Sequence, residues 1–346
     1  MAKNRAVMLY GTPNDTRVVE IERPTLQPNR VIVRLTVGAI CANDWKMAFD
    51  GYRGKLPTTL GHELAGEVIA VGEHIVGYAP GDRVCVRFAS AIYCGHCFYC
   101  LRGWFNLCEN WISFELPGGL VEFMAFDTRL EERLLKLPDN ISFEEAALIE
   151  PVACSLAGIE VSNIQPGEEV VILGAGAMGL FNLQLALLYG ASRVFVVETN
   201  PFRAAIARQF GAAQVIDFKA TDPIAAVRDL TAGRGCASVI ECSGTLGAAA
   251  QAVQMARRKG TVCFFAGFGS QAQLTLDPNW VHYSGIYLTG STGSTIRHAQ
   301  RIINYLAAGR LQLKPLITHR FPLEGAREAL ALGASRGESL KILLEP

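Results

Sequence analysis

Cys94, Cys97, Cys100 and Cys108 form a C-x2-C-x2-C-x7-C run, and nothing else in the chain restricts its folding as sharply. Four thiolates at short fixed spacings close a tetrahedral site that holds a structural zinc and leaves no position for chemistry. A loop this short cannot bury enough apolar surface unaided, so the metal must staple it. Buried thiols and an iron–sulfur cluster are the other uses of such a set. A zinc ribbon that reads nucleic acid fits poorly. Phe98, Tyr99 and Trp104 lie within the run, but only one arginine, Arg102, does.

The chain has ten cysteines in 346 residues. No apolar run or small-residue cleavage site follows Lys3 and Arg5, so a secretory signal is not expected. A cytoplasmic, reducing setting follows, in which clustered cysteines read as metal ligands rather than disulfides. Cys85, Cys154, Cys236, Cys242 and Cys263 sit in or beside apolar runs and read as packing residues. Lys plus Arg and Asp plus Glu number 32 each, so no basic excess is available to collect phosphates, and nucleic acid is not an expected partner. Half the residues are hydrophobic and 18% charged, which excludes disorder and fits about two domains.

The first third reads as β-rich. Val31, Val33, Leu35 and Val37 alternate on one face of a strand. Gly61 to Val86 holds strand-like pieces broken by Gly66, Gly72 and Pro80-Gly81-Asp82. From Pro166 strands and helices alternate: Val170–Leu173, a helix from about Met178 to Tyr189 with Leu180, Leu183 and Leu187 on one side, Arg193–Glu198, and a helix over Pro201–Phe210. Strands Ser238–Cys242, Thr261–Ala266 and Tyr287–Gly290 continue the series. This is the pattern of a doubly wound parallel sheet. A helix over Ala299–Leu311 and a strand over Ser339–Leu344 close the chain. Val170 to Gly190 is long and apolar enough to cross a membrane. Its glycines, however, mark a buried strand–turn–helix, and no membrane partner is expected.

Those glycines spell G-x-G-x-x-G over Gly174, Gly176, Met178 and Gly179. The motif means little alone, but here a strand precedes it and a helix follows. Such glycines let a pyrophosphate approach the backbone at a helix N-terminus. Glu198 ends the next strand, where a carboxylate binds the ribose 2′-hydroxyl and repels a 2′-phosphate. NAD is therefore expected over NADP. Arg203 nearby can stack on adenine or accept that phosphate.

A second metal set is more dispersed. Gly61-His62-Glu63 follows a turn, and Cys41 lies upstream. His, Cys and a carboxylate from separate loops make a zinc site with one vacant position, as catalysis requires. Glu150 is a candidate fourth or exchanging ligand, and Asp44 can hold the non-ligating nitrogen of His62. A lone His-Glu pair more often lies on a solvated surface.

Gly61-His62-Glu63-x2-Gly66-x5-Gly72, with Gly81-Asp82-Arg83-Val84 after it and the cysteine spacing above, resembles the medium-chain dehydrogenase/reductase superfamily. The resemblance runs from the Cys41 region to Lys341 and is strongest to the polyol (sorbitol) and threonine dehydrogenase branch, because of Glu150-Pro151. It implies a GroES-like β-rich catalytic domain over about 1–152 and 295–346, with a structural zinc lobe at about 90–112, and a Rossmann NAD-binding domain over 153–294. The active site is then expected in the cleft between them. Cys41, His62 and Glu63, with Glu150, would hold catalytic zinc, giving two zinc ions per chain. Ser243, Gly267 and Phe268 would lie along the cofactor. The reaction implied is hydride transfer between a polar secondary alcohol or ketone and NAD, with zinc as Lewis acid. A homo-oligomer, tetramer or dimer, is also implied.

Two places depart from the pattern. The family's usual Ser/Thr and His proton relay is replaced by Asn43 and Lys46. Arg87 stands where an acidic residue is common, in a segment from Val86 to Cys94 about two residues longer than expected. Lys46 and Arg87 together would suit an anionic substrate. Alternatives are a threonine 3-dehydrogenase-like amino-alcohol oxidation, a zinc-free quinone or enoyl reductase on the same scaffold, and a non-enzymatic NAD-sensing or scaffold protein.

Overall fold

The computed structural model describes residues 3–12, 14–51, 56–87, 93–110, 118–127 and 130–346. Contacts divide the chain into two units, Met1–Ala153 with Gly293–Pro346, and Cys154–Thr292.

The first unit carries β1 (Lys3–Gly11), β2 (Asp15–Glu22), β3 (Val31–Ala39), α1 (Ala42–Phe49), β4 (Thr58–Thr59), β5 (Glu63–Val71), β6 (Arg83–Arg87), β7 (Phe123–Phe126), α2 (Leu130–Arg133), β8 (Leu134–Lys136) and α3 (Phe143–Ala147). The long α4 (Ile149–Val161) begins in it. β3 forms because β-branched and apolar residues alternate with Arg34 and Thr36, which face solvent. Val31, Val33, Leu35 and Val37 are all buried, the first three in a core with Leu64, Val68, Val84 and Leu344.

β5 runs unbroken through Gly66, so this glycine does not end a strand as its composition suggested. A Cβ there would lie 2.2 Å from the Arg34 carbonyl, and glycine instead permits β3 and β5 to approach. Gly81 does mark a turn, at φ +94°.

The second unit carries β9 (Glu169–Leu173), α5 (Ala177–Leu188), β10 (Arg193–Val197), α6 (Pro201–Gln209), β11 (Gln214–Ile216), α7 (Pro223–Leu230), β12 (Cys236–Glu241), α8 (Leu246–Met255), β13 (Ala256–Phe264), α9 (Pro278–Ser284) and β14 (Tyr287–Gly290). Its six strands form one parallel sheet in the order β11-β10-β9-β12-β13-β14. α5 is buried on nearly every side, through Leu180, Phe181, Asn182, Leu183, Leu185 and Ala186, whereas Leu187 is only half-buried. That explains the long apolar run without a membrane: among the described residues, no helix is long and apolar enough to cross one.

The chain then returns to the first unit through α10 (Ile296–Ala307), β15 (Ile317–Pro322), α11 (Ala326–Ser335) and β16 (Lys341–Glu345). α10 stops four residues before the expected Leu311, and Gly309 follows with φ +65°, which a continuing helix cannot accommodate. β15, β16, β3, β5, β6 and β8 lie in that order in one sheet, and β7 also pairs with β3. The molecule is thus a β-rich GroES-like domain joined to a Rossmann domain.

Candidate active site and metal centres

The cysteine lobe is compact. The Sγ atoms of Cys94, Cys97, Cys100 and Cys108 all lie within 4.8 Å of one another. Cys94 to Cys100 and Cys97 to Cys108 are 4.0 Å apart. A tetrahedron of zinc–sulfur bonds of about 2.3 Å has edges of roughly 3.8 Å, so the donor set fits that ion. The backbone N–H of Cys94 donates to Cys108 Sγ and that of Cys97 to Cys94 Sγ, each at 3.3 Å, which suits thiolates. Hydrogen bonding from Asn110 and from backbone amides lowers the Cys94 thiol to about 5. Residues 88–92 and 111–117, which hold the lobe's flanks and most of the lengthened Val86–Cys94 segment, lie outside the described residues.

The second group is made by three elements. Cys41 is the N-cap residue of α1, in extended conformation. Gly61, at φ +95°, turns the chain just ahead of His62, and Glu63 opens β5. Donor atoms of Cys41, His62 and Glu63 lie within 4.8 Å of one another. Asp44, fully buried, ties them together. Its Oδ2 accepts the Cys41 N–H at 2.8 Å, and its Oδ1 accepts the Gly61 N–H at 3.2 Å and lies 3.6 Å from His62 Nδ1. His62 is thereby left with Nε2 to bind. Burial opposes charge on His62, but Cys41 and Asp44 outweigh it and hold its pKa well above the ordinary imidazole value.

Glu63 is fully buried. Neither of its oxygens has a hydrogen-bond partner among the described residues, and Oε2 lies 2.5 Å from Lys341 Nζ in an ion pair. An orphaned carboxylate oxygen beside a cysteine and a histidine is what an absent cation would leave, so these residues fit a zinc. Burial pushes the Glu63 carboxyl up, and Lys341 and His62 pull it back only in part. Lys341 is a site residue with no sequence signal, a single lysine opening an apolar strand.

Glu150 is not in the three-residue group, although its charge reaches both Glu63 and Lys341. It lies in the first turn of α4 and is 7% exposed. Asn43 is exposed on α1. Lys46 is half-buried, with its ammonium 5.7 Å from the Trp45 ring centre. Arg87 is buried, a cross-strand neighbour of Glu63, and donates to the Glu132 carbonyl at 3.2 Å.

In the other unit the parallel register brings the carboxyl ends of the strands level. Leu173 pairs with Val197 and Glu241, Glu241 with Phe264, and Phe264 with Gly290. The order reverses at β9, where a ligand crevice forms in such sheets. Gly174 to Gly179 follow β9. A Cβ at Gly179 would lie 1.9 Å from the Gly174 carbonyl, so only glycine lets α5 pack against the turn. Gly176 caps α5 without a side-chain bond, and a Cβ there would meet nothing within 4 Å. The space beside Gly176 at the start of α5 is thus open, which fits a pyrophosphate at the helix N-terminus.

Glu198 follows β10. Its Oε1 accepts the Thr199 and Asn200 N–H groups at 2.8 Å, and Oε2 accepts Ala175 N–H at 3.0 Å. Arg203 is half-buried on α6. Ser243 follows β12 and bonds the buried Glu241 carboxylate, another residue without a sequence signal. Gly267 and Phe268 follow β13, Phe268 edge-on to Phe264.

Residues 27–139 match the alcohol dehydrogenase GroES-like domain, and residues 177–308 the zinc-binding dehydrogenase domain. The chain is 31% identical to sorbitol dehydrogenase of Homo sapiens over 99% of its own length and 96% of that protein. It belongs to the zinc-dependent medium-chain dehydrogenase/reductase superfamily. This dehydrogenase is also 31% identical to L-threonine 3-dehydrogenase of Symbiobacterium thermophilum, over 94% of its length and 93% of the relative. Among solved structures it resembles one described as a zinc-binding dehydrogenase from Sinorhizobium meliloti 1021 bound to NADP. The TM-score is 0.93 at 28% identity, over the whole of both chains. It also resembles 2R,3R-butanediol dehydrogenase from Bacillus subtilis, at a TM-score of 0.89 and 26% identity over 99% of both chains. It is therefore an oxidoreductase of the polyol dehydrogenase branch, acting on small-molecule alcohols.

Proposed function

We propose that this dehydrogenase moves a hydride between a secondary alcohol of a polyol or related polar substrate and NAD, using one zinc at Cys41, His62 and Glu63 and a second in the cysteine lobe. The observation that carries the reading is the buried triad with the unpartnered Glu63 Oε1. The unit that holds it is the catalytic domain, and the Gly174–Gly179 unit holds the cofactor.

When bound, zinc supplies a Lewis acid and NAD a hydride acceptor. The protein's own part is placement. Asp44 orients His62 and Cys41. Glu150 lies close enough to act electrostatically on Glu63 and is the candidate exchanging ligand or proton acceptor. An exposed amide at Asn43 cannot pass a proton, so Lys46 is the candidate end of the proton route. Lys46 and Arg87 are the groups that would favour an anionic substrate.

Glu198 supports NAD, since a carboxylate at the ribose repels a 2′-phosphate. The NADP bound to the Sinorhizobium relative and the nearby Arg203 make NADP the cofactor to compare. Self-association is part of the same proposal. β14 is an edge strand exposing Tyr287 and Leu288, with Tyr283 78% exposed beside it, and a second copy would cover it. Sedimentation of Leu288→Lys should show a smaller species than the native chain. A cytoplasmic setting is part of the same proposal.

The test is His62→Ala, with metal content and NADH formation measured over a panel of neutral polyols, their phosphates and L-threonine. The panel includes threonine because both relatives are equally identical to the chain. Loss of one zinc and of turnover is expected. Full activity with that zinc absent would overturn the reading, and turnover of threonine alone would move it to amino-alcohol oxidation.

A further inference from the structure

Lys341 is 4% exposed. It is delivered by β16, whose Leu343 and Leu344 pair with Ala39 and Gly38 of β3. The Ile40 N–H bonds to the Ile342 carbonyl, and Lys341 Nζ donates to the Ile40 carbonyl at 3.4 Å. The last strand of the chain therefore sets an ammonium against the residues that precede Cys41. That ammonium lies 2.5 Å from Glu63 Oε2; neither oxygen of Glu63 makes a hydrogen bond among the described residues, and Oε2 is the one that the buried cation approaches.

We propose that Lys341 is a positioning residue that keeps Glu63 a one-oxygen metal ligand and so keeps the fourth coordination position free for substrate. This rests on the reading of Glu63 as a zinc ligand. A carboxylate can bind a metal through one oxygen or both. Three protein ligands leave a zinc one open position; a second oxygen from Glu63 would fill it. The ammonium holds that oxygen back. It also places a positive charge in the group that receives a dication, which opposes metal binding.

The direction of the effect separates this role from a merely structural one. Removing Lys341 while keeping Glu63 should bind metal more tightly and turn over more slowly. If Lys341 only braced β16, its loss would slacken Glu63 and release metal faster.

The experiment follows zinc release from the purified two-zinc protein to the chromophoric chelator 4-(2-pyridylazo)resorcinol. Release from the Cys41 site of Lys341→Met should slow by about tenfold, while Lys341→Arg stays near the native rate. With cobalt(II) in that site, Lys341→Met should show a shifted d–d spectrum, because a second carboxylate oxygen takes the position that the native protein leaves open. If Lys341→Met does not fold, Lys341→Gln carries the release measurement, since it keeps a donor but drops the charge. Unchanged or faster release in the folded variant overturns the proposal. Glu63→Ala separates the two levels. If it leaves release and spectrum unchanged, Glu63 is not a ligand and the functional reading falls. If it changes both and the lysine variants change neither, only the role of Lys341 falls.

Discussion

Asp44 Oδ1 lies 3.6 Å from His62 Nδ1, while the other oxygen of the same buried carboxylate accepts the Cys41 N–H at 2.8 Å. One side chain therefore orients the imidazole just before β5 and the residue that caps α1. Such outer partners of a metal ligand typically account for 10- to 100-fold in affinity. Asp44→Ala is expected to weaken zinc at the Cys41 site by that factor and to leave the cysteine-lobe zinc in place. Metal content after dialysis against a weak chelator checks it; two zinc ions retained per chain would contradict it.

The cysteine lobe should behave differently, because its contribution is to stability. Cys97, Cys100 and Cys108 are buried, and among the described residues the hydrophobic neighbours packed against them are Tyr93, Cys94, Tyr99 and Phe105. Without metal this small cluster has little to hold it. Cys100→Ser is expected to lose one zinc and to lower Tm by about 5 °C or more. The residual zinc, at Cys41, should still support turnover per folded molecule. Calorimetry with metal analysis measures both.

The tetrad and the glycine-rich turn were legible in the sequence because each is local: ligands a few residues apart, or one turn between a strand and a helix. His62 and Glu63 were legible as neighbours in the chain. Lys341 was not. It opens the apolar strand KILLE, and its partner lies on β5, joined to it only through the β16–β3–β5 order of the sheet. Gly66 misled for the opposite reason. A glycine reads as a break, but here it is required by the Arg34 carbonyl of the neighbouring strand. Glu150 shows the limit of spacing arguments. It is near enough to act electrostatically on Glu63, yet its oxygens are not among the clustered donor atoms.

Asp82 gives a pH test away from the metal groups. Its carboxyl closes the turn before β6, accepting the Ala79 N–H at 2.8 Å and pairing with Lys136 at 2.7 Å. Burial opposes its ionisation, but Lys136 and the amide outweigh this and hold its pKa below the usual carboxylate range. A lowered folded value means the stabilisation is complete above the unfolded value of about 3.9. It is lost as pH falls through the lower folded value. Asp82→Asn should therefore cost up to about 1 kcal/mol at neutral pH. The difference from the native chain should shrink as pH drops below about 4. Urea midpoints at pH 7 and pH 3 measure it, and an equal gap at both would exclude the pair as the cause.

Glu198 accepts three backbone N–H groups, two from Thr199 and Asn200 and one from Ala175 in the glycine-rich turn. The carboxylate is thus held by these three amides, and on the proposed cofactor reading its charge stands where a 2′-phosphate would come. Glu198→Ser removes that charge and leaves Arg203 five positions away on α6. Repulsion of one phosphate by one carboxylate in a partly solvated site is worth on the order of 1–2 kcal/mol. The ratio of kcat/KM for NADP to that for NAD should therefore rise about tenfold or more. NAD should also bind less well, since the Ala175 amide and the ribose both lose an acceptor. Steady-state kinetics with both cofactors at saturating alcohol decides it: an unchanged ratio would mean that Glu198 orders the turn without selecting the cofactor.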